Sequence, residues 1–247
     1  IAENVMTVAD AFYPKPVWYR TIDATTDEFI TLEGGENEPE EHNPMLGWRG
    51  IRRELDQPEI LKCEFKAIKK LYDKGYTNLG IMIPLSQSPA ELKQAKELCA
   101  SVGLIPHKDI DFGMMVEIPA AALTIEDYLE IGVDFVSLGT NDLTQMCFGF
   151  SRDDIGGFLP KYLDLKLLPE DPFVSIDQRG GGELIRSGVE KGRGIKPKLK
   201  VGICGEHGGD PESVKFCHQL GLNYVSCSPF RVPIARLAAA QAAIEEK

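Results

Sequence analysis

The fold that this sequence predicts is α/β, a (β/α)8 TIM-type barrel whose first strand is missing from the 247 residues. Three observations lead there. Apolar runs alternate with segments of helical spacing, and such alternation implies a parallel sheet. The length suits a single barrel domain, here spanning 1–247. Finally, the apolar runs of the second half break off in small polar signatures: MMVEIPAA at 114–121, FVSLGTNDLTQ at 135–145, VGICGEHGG at 201–209 and YVSCSPFRVP at 224–233. Parallel strands of a barrel deliver polar residues of this kind to one rim.

Taken in chain order, AENVMTVADAF reads as an opening helix. Strands are expected near 16–23, 79–84, 112–118, 134–139, 199–204 and 223–228, where apolar runs are bounded by Gly, Pro or Asp, with a seventh near Arg49–Arg52. Helical spacing marks 58–74, 88–101, 182–192 and 211–220, and Ser88-Pro89 and Asp210-Pro211 make good N-cap and N1 pairs. Seven strands fall one short of a closed barrel, and the chain begins at Ile1 on a helix. The expectation is therefore a C-terminal piece of a longer polypeptide, with the first strand upstream. The acidic run 33–42 and residues 151–181 read as long loops: lids, subunit contacts or solvated insertions.

A formal charge of −11 opposes encounter with nucleic acid or an anionic membrane, so an anionic substrate has to meet local arginines. No stretch reaches the roughly 18 apolar residues that span a bilayer, and the start has no signal-peptide pattern. Six cysteines without CxxC spacing fit a reduced, cytoplasmic setting better than a disulfide framework.

Glu117 follows MMV and precedes Ile-Pro, so its carboxylate should emerge at a strand end, and Asp142 lies just after the next strand. Two hard oxygen donors at successive strand ends suit Mg²⁺, which takes one or two carboxylates and leaves other positions to water and substrate. A helix cap or an ion pair is the plainer reading of each acid alone. The Gly139-Thr140-Asn141-Asp142 turn offers consecutive backbone N–H groups able to cradle an anion. Arg20 ends a strand and Arg49 sits in NPMLGWRGIRR with Arg52 and Arg53 close by; guanidinium forks match carboxylate and phosphate. Any one of them also reads as a surface ion-pair partner. Cys204, set among glycines at a strand end, can exchange one proton with a carbon centre, or be an inert buried thiol. Of the four histidines, only His207 lies close to it in sequence.

Together, NPMLGWRG, VEIPAAAL, GTNDLTQ, GICGEHGG and CSPFRVPIAR resemble the C-terminal barrel of the phosphoenolpyruvate-utilising enzymes, the family of phosphoenolpyruvate synthase and pyruvate phosphate dikinase. The resemblance covers nearly the whole chain. It leans to the synthase up to about residue 145 and to the dikinase beyond. It implies a transferase domain that interconverts pyruvate and phosphoenolpyruvate through an enolate, as in gluconeogenesis. Glu117 and Asp142 then match the ligands of Mg²⁺ (Mn²⁺ as a substitute), and Arg20 and Arg49 the holders of carboxylate and phosphate. Gly139, Thr140 and Asn141 match the substrate-contacting turn, and Cys204 the proton donor. The implied partners are the phosphohistidine and ATP-binding domains of a parent chain and further copies of a homo-oligomer. Two departures stand out: the family's arginine on the first barrel strand has no counterpart, and none of the four histidines lies in a carrier motif. A metal-dependent pyruvate aldolase and a non-catalytic ligand-binding or assembly module are the competing readings. The GICGEHGG cysteine argues against the aldolase.

Overall fold

Residues 1–246 are described by the computed structural model. Six strands form one parallel sheet in which each lies beside the next in chain order, accompanied by twelve α-helices among the described residues. The chain divides into two compact units: 1–115 with 130–135, and 116–129 with 136–247.

The first unit opens with α1 (Ala2–Phe12), which runs into β1 (Val17–Arg20). β1 pairs with β2 (Leu79–Ile83) in register Val17↔Leu79 to Arg20↔Met82. Asn78 joins these pieces, its Nδ2 donating to the carbonyls of Ala9 and Lys15 at 3.1 and 3.0 Å. Between the strands lie α2 (Thr26–Phe29), α3 (Ile51–Asp56) and α4 (Pro58–Tyr72). In α4 the spacing Leu61, Phe65, Ile68, Leu71 puts four apolar side chains on one buried face, each contributing about 1.5–3 kcal/mol. α5 (Pro89–Ser101) starts at the expected cap: Ser88 accepts from the Ala90 N–H, and Glu91 reaches back to the Ser88 N–H. β3 (Asp111–Val116) pairs with β2 from Gly80↔Asp111 to Ile83↔Met114.

The expected strand near Arg49–Arg52 is not formed. Gly50 adopts φ +55°, a turn conformation, and the helix-favouring run Arg-Arg-Glu-Leu continues from it as α3. The acidic run 33–42 is also less solvated than its composition suggests. Glu38 grips Arg53, whose guanidinium lies 3.9 Å over the Phe29 ring and 4.7 Å over Trp48. Glu41 accepts from the Trp48 N–H and from Thr26 Oγ1, each at 2.9 Å.

The second unit follows with α6 (Pro119–Leu123), α7 (Ile125–Glu130), β4 (Phe135–Gly139), α8 (Thr140–Phe148), α9 (Leu159–Asp164) and α10 (Gly181–Ile195). Within 151–181 the chain forms helical turns, and Phe150, Phe158 and Tyr162 meet edge to face at centroid distances of 5.1–6.2 Å. β5 (Lys200–Cys204) leads to α11 (Pro211–Gln219), capped by Asp210, whose carboxylate takes the Ser213 N–H at 2.8 Å. β6 (Tyr224–Val225) is shorter than its apolar run, because Pro229 begins a turn into α12 (Val232–Glu245). Val214 of α11 packs on Ala235 and Ala238 of α12. Among the described residues no helix is long and apolar enough to cross a membrane.

Candidate functional site

The second unit gathers most of the residues singled out above. Glu117 follows the end of β3, just ahead of the Pro119 start of α6, and is 1% exposed. Its carboxylate occupies the space in front of Gly139 that any side chain there would fill. Glycine at 139 is thus a steric requirement for the acid. The Gly139–Asp142 stretch is not a free turn: β4 passes directly into α8 at Thr140. The backbone N–H groups of its first turn remain outside the helical bonding pattern all the same, as at any helix start. Asp142 lies in that turn and is 8% exposed.

β5 brings Cys204 to the same stretch. The Thr140 Oγ1 donates to the Cys204 carbonyl at 3.0 Å, and Asn141 Oδ1 accepts the Glu206 N–H at 3.2 Å. Gly205 makes this possible through φ +118° and the lack of a Cβ, which would lie 2.8 Å from Thr140 Oγ1 and 3.0 Å from Asn141 Oδ1. Cys204 is partly exposed, with Sγ 3.7 Å from the Leu138 carbonyl. By contrast, burial pushes the thiols of Cys99 and Cys217 up to about 12, leaving them as inert packing groups.

Tyr224, near Cys204, and its partner Ser137 were not singled out by their sequence motifs. The Tyr224 hydroxyl is pushed far up by burial, drawn back by a hydrogen bond with Ser137, and raised further by the charge of Cys204. Tyr224 stands opposite Gly202 in the β5–β6 register, and its ring fills the space a Gly202 side chain would need. The available signals were a serine inside the apolar run FVSLG and a glycine inside VGIC. His207 is fully buried, with burial holding its imidazole below the ordinary value.

The four arginines singled out from the sequence lie in the first unit. Arg49 is 5% exposed; its Nε and Nη2 donate to Asp23 at 2.8 and 2.7 Å, and its Nη1 to the Met45 carbonyl at 3.1 Å. Arg20 also donates to Asp23, at 3.0 Å, while remaining half exposed. Asp23 therefore orients both arginines, a role invisible in YRTID because Arg49 lies 26 positions away in sequence. Arg52 is tied to the carbonyls of Leu46 and Gly47 at 2.8 and 3.0 Å, and Arg53 to Glu38; both serve the local fold.

A divalent metal fits the donor set of the second unit. Glu117 and Asp142 are two buried carboxylates, one fitted against a bare glycine, and hard oxygens in this number are what Mg²⁺ takes from a protein. Among the described residues, no group of three or more His, Cys, Asp or Glu gathers that could hold a metal ion, so the two carboxylates would need water and substrate oxygens to complete a site.

Comparison with known proteins adds the following. A family model described as "PEP-utilising enzyme, PEP-binding domain" matches residues 1–244. A probable phosphoenolpyruvate synthase of Pyrococcus abyssi is 47% identical over 247 residues, covering 98% of this chain and 28% of the relative. A pyruvate, phosphate dikinase of Clostridium symbiosum is 50% identical over 223 residues, covering 85% of this chain and 25% of the relative. A probable phosphoenolpyruvate synthase of Methanothermobacter thermautotrophicus reaches 70% identity over 138 residues, 56% of this chain and 20% of the relative. The chain thus spans only about a quarter of these relatives' length.

Proposed function

We propose, from the premise that this chain belongs to the PEP-utilising enzyme family as its PEP-binding domain, that it handles the pyruvate end of a phosphoryl-transfer reaction. The interconversion is between pyruvate and phosphoenolpyruvate, and the phosphoryl group passes to or from a phosphohistidine domain that an ATP-binding domain charges. Under this reading the parallel sheet belongs to a (β/α)8-type barrel working in the cytoplasm as a homo-oligomer.

Glu117 and Asp142 would hold Mg²⁺, or Mn²⁺ in its place. The cation supplies charge compensation at the substrate oxygens, the main demand of phosphoryl transfer. Arg20 and Arg49, oriented by Asp23, would bind the carboxylate and phosphate of the substrate. Gly139, Thr140 and Asn141 would supply polar contacts from the first turn of α8. Cys204 would pass its Sγ proton to the methylene carbon of the enolate, giving the methyl group of pyruvate and a thiolate. Tyr224, which interacts with Cys204 and hydrogen-bonds with Ser137, would be the route by which that thiolate regains a proton.

The observation that carries this reading is the position of Cys204. A partly exposed thiol at a strand end is tied through its carbonyl to the start of α8 and flanked by a buried tyrosine. Cys204→Ala should abolish exchange of the pyruvate methyl protons with solvent while phosphoenolpyruvate affinity changes little, because binding does not use the thiol. Cys99→Ala and Cys217→Ala should leave exchange intact. Exchange at the wild-type rate in Cys204→Ala would sink the proton-donor role.

A further inference from the structure

Downstream of Cys204 the chain passes through Gly205 into a 3-10 turn at Glu206–Gly209, and His207 within it makes a hydrogen bond from each ring nitrogen. Nε2 lies 2.8 Å from the Pro172 carbonyl. A carbonyl only accepts, so Nε2 carries a hydrogen. Nδ1 lies 2.7 Å from Thr140 Oγ1, and that same hydroxyl lies 3.0 Å from the Cys204 carbonyl.

The proton count at this junction is short by one. A threonine hydroxyl donates once. With His207 neutral, Nδ1 is bare, and it competes with the Cys204 carbonyl for the single Thr140 proton. With His207 protonated, Nδ1–H donates to Thr140 Oγ1, which then gives its own proton wholly to the Cys204 carbonyl. The charge of the ring therefore selects which partner Thr140 serves.

We propose that His207 is a positioning residue for the proton transfer at Cys204: it sets the Thr140 hydroxyl, and so couples the main chain of Cys204 to the start of α8 and to segment 151–180 at Pro172. This rests on the reading of Cys204 as proton donor. Burial favours the neutral ring. The hydrogen bond to Pro172 and the carboxylates of Asp210 and Asp171 push the other way, while Arg152 adds to the lowering. The working state is then the neutral one, with Thr140 shared between its two acceptors, and acidification draws the hydroxyl proton fully onto Cys204.

The test compares His207→Gln, whose amide reaches the Nε2 position and keeps the Pro172 bond, with His207→Asn, whose amide lies near Nδ1 and keeps the Thr140 bond. Thr140→Val removes the hydroxyl at nearly constant shape, and His218→Gln, on a surface helix, is the control. Two readouts are used on the full chain: pyruvate methyl-proton exchange with its pH profile, and the rate at which iodoacetamide alkylates Cys204, measured against the exposed Cys63 and Cys147 by peptide mass spectrometry. His207→Gln should lower exchange by about tenfold to a hundredfold with pyruvate affinity nearly unchanged, as a small misplacement of a reacting group does, and Thr140→Val should lower exchange at least as much, with pyruvate affinity reporting its own substrate contact. Both should also shift Cys204 alkylation, and the double variant should be no worse than Thr140→Val alone, because the two changes remove one shared contact. His207→Asn should retain most of the rate and lose the acid-side inflection of the wild-type profile. Wild-type exchange and alkylation in His207→Gln, or additive losses in the double variant, would overturn the proposal. If Cys204→Ala itself exchanged protons normally, the donor reading would fail, yet alkylation would still decide whether His207 sets the Cys204 turn.

Discussion

Glu54 and Glu64 are both buried to 1% exposure in the first unit, and the chemistry of the pair is legible from its partners. Thr21 Oγ1 donates to Glu54 Oε2 at 3.1 Å; Tyr19 and the Ile22 N–H donate to Glu64 Oε1. The remaining oxygens, Glu54 Oε1 and Glu64 Oε2, have no other donor. Burial first, and then the hydrogen bond to Glu64, hold the Glu54 carboxyl far above the usual carboxylate range, so it keeps its proton and donates it to Glu64. The sign for stability follows. Above pH 4.5 the unfolded chain releases the Glu54 proton while the folded chain retains it, so stability falls as pH rises from there toward the folded value. Glu54→Gln, which preserves a donor to Glu64, should flatten that slope in denaturant titrations across pH 5–8. An unchanged slope would show that the proton sits elsewhere. His207 works in the opposite direction: its ordinary value of 6.5 is lowered in the fold, so its contribution is complete above pH 6.5 and is lost as pH falls below it. None of this was legible in the sequence, where Glu54 and Glu64 look like ordinary charges on helical segments.

Strand ends and helix starts are the elements that make the candidate site. Glu117, Gly139 and Cys204 each end or follow a strand, and the spacing of their motifs announced that much. The fit between neighbours was not announced. Gly139 yields to Glu117 and Gly202 to the Tyr224 ring, contacts that join strands far apart in sequence. Gly202→Ala should destabilise the protein by about 1–3 kcal/mol through overpacking and displace Tyr224, lowering pyruvate proton exchange along with the melting temperature. Exchange that fell without any loss of stability would point instead to a direct role of the β5 backbone. Caps were legible because their chemistry is local: Ser88→Ala should cost about 0.5–2 kcal/mol, with no effect on ligand binding. The carboxylates call for a ligand measurement. Glu117→Gln combined with Asp142→Asn should eliminate Mn²⁺ binding in calorimetric titration with oxalate, and undiminished binding would remove both from the metal site.

Across the whole molecule, 38 acidic residues face 27 basic ones, giving −11. That field repels an anion at long range, while Arg20 and Arg49, in the role proposed for them, would attract it only at short range. The association rate for phosphoenolpyruvate should therefore rise as ionic strength increases from about 0.01 to 0.1 M, where the Debye length shrinks to about 10 Å. A rate that fell over this interval would mean that local arginine steering dominates the global charge.

The sequence by itself determined the α/β class, four of the six strands nearly to their ends, the main helices with their caps, and the family, since periodicity, capping and motif spacing are local properties of the chain. It misassigned Arg49–Arg52, where Gly50 turns the chain into a helix, and it overextended β1, which ends at Arg20, and β6, which Pro229 follows. Only the tertiary structure decided which side chains share a contact. Asp23 reaches Arg49 across 26 positions, Thr140 reaches Cys204 across 64, and His207 ties Thr140 to Pro172 across 67 and 35. Such contacts depend on strand register and on the space that glycines leave open, and neither is written in any local run of residues.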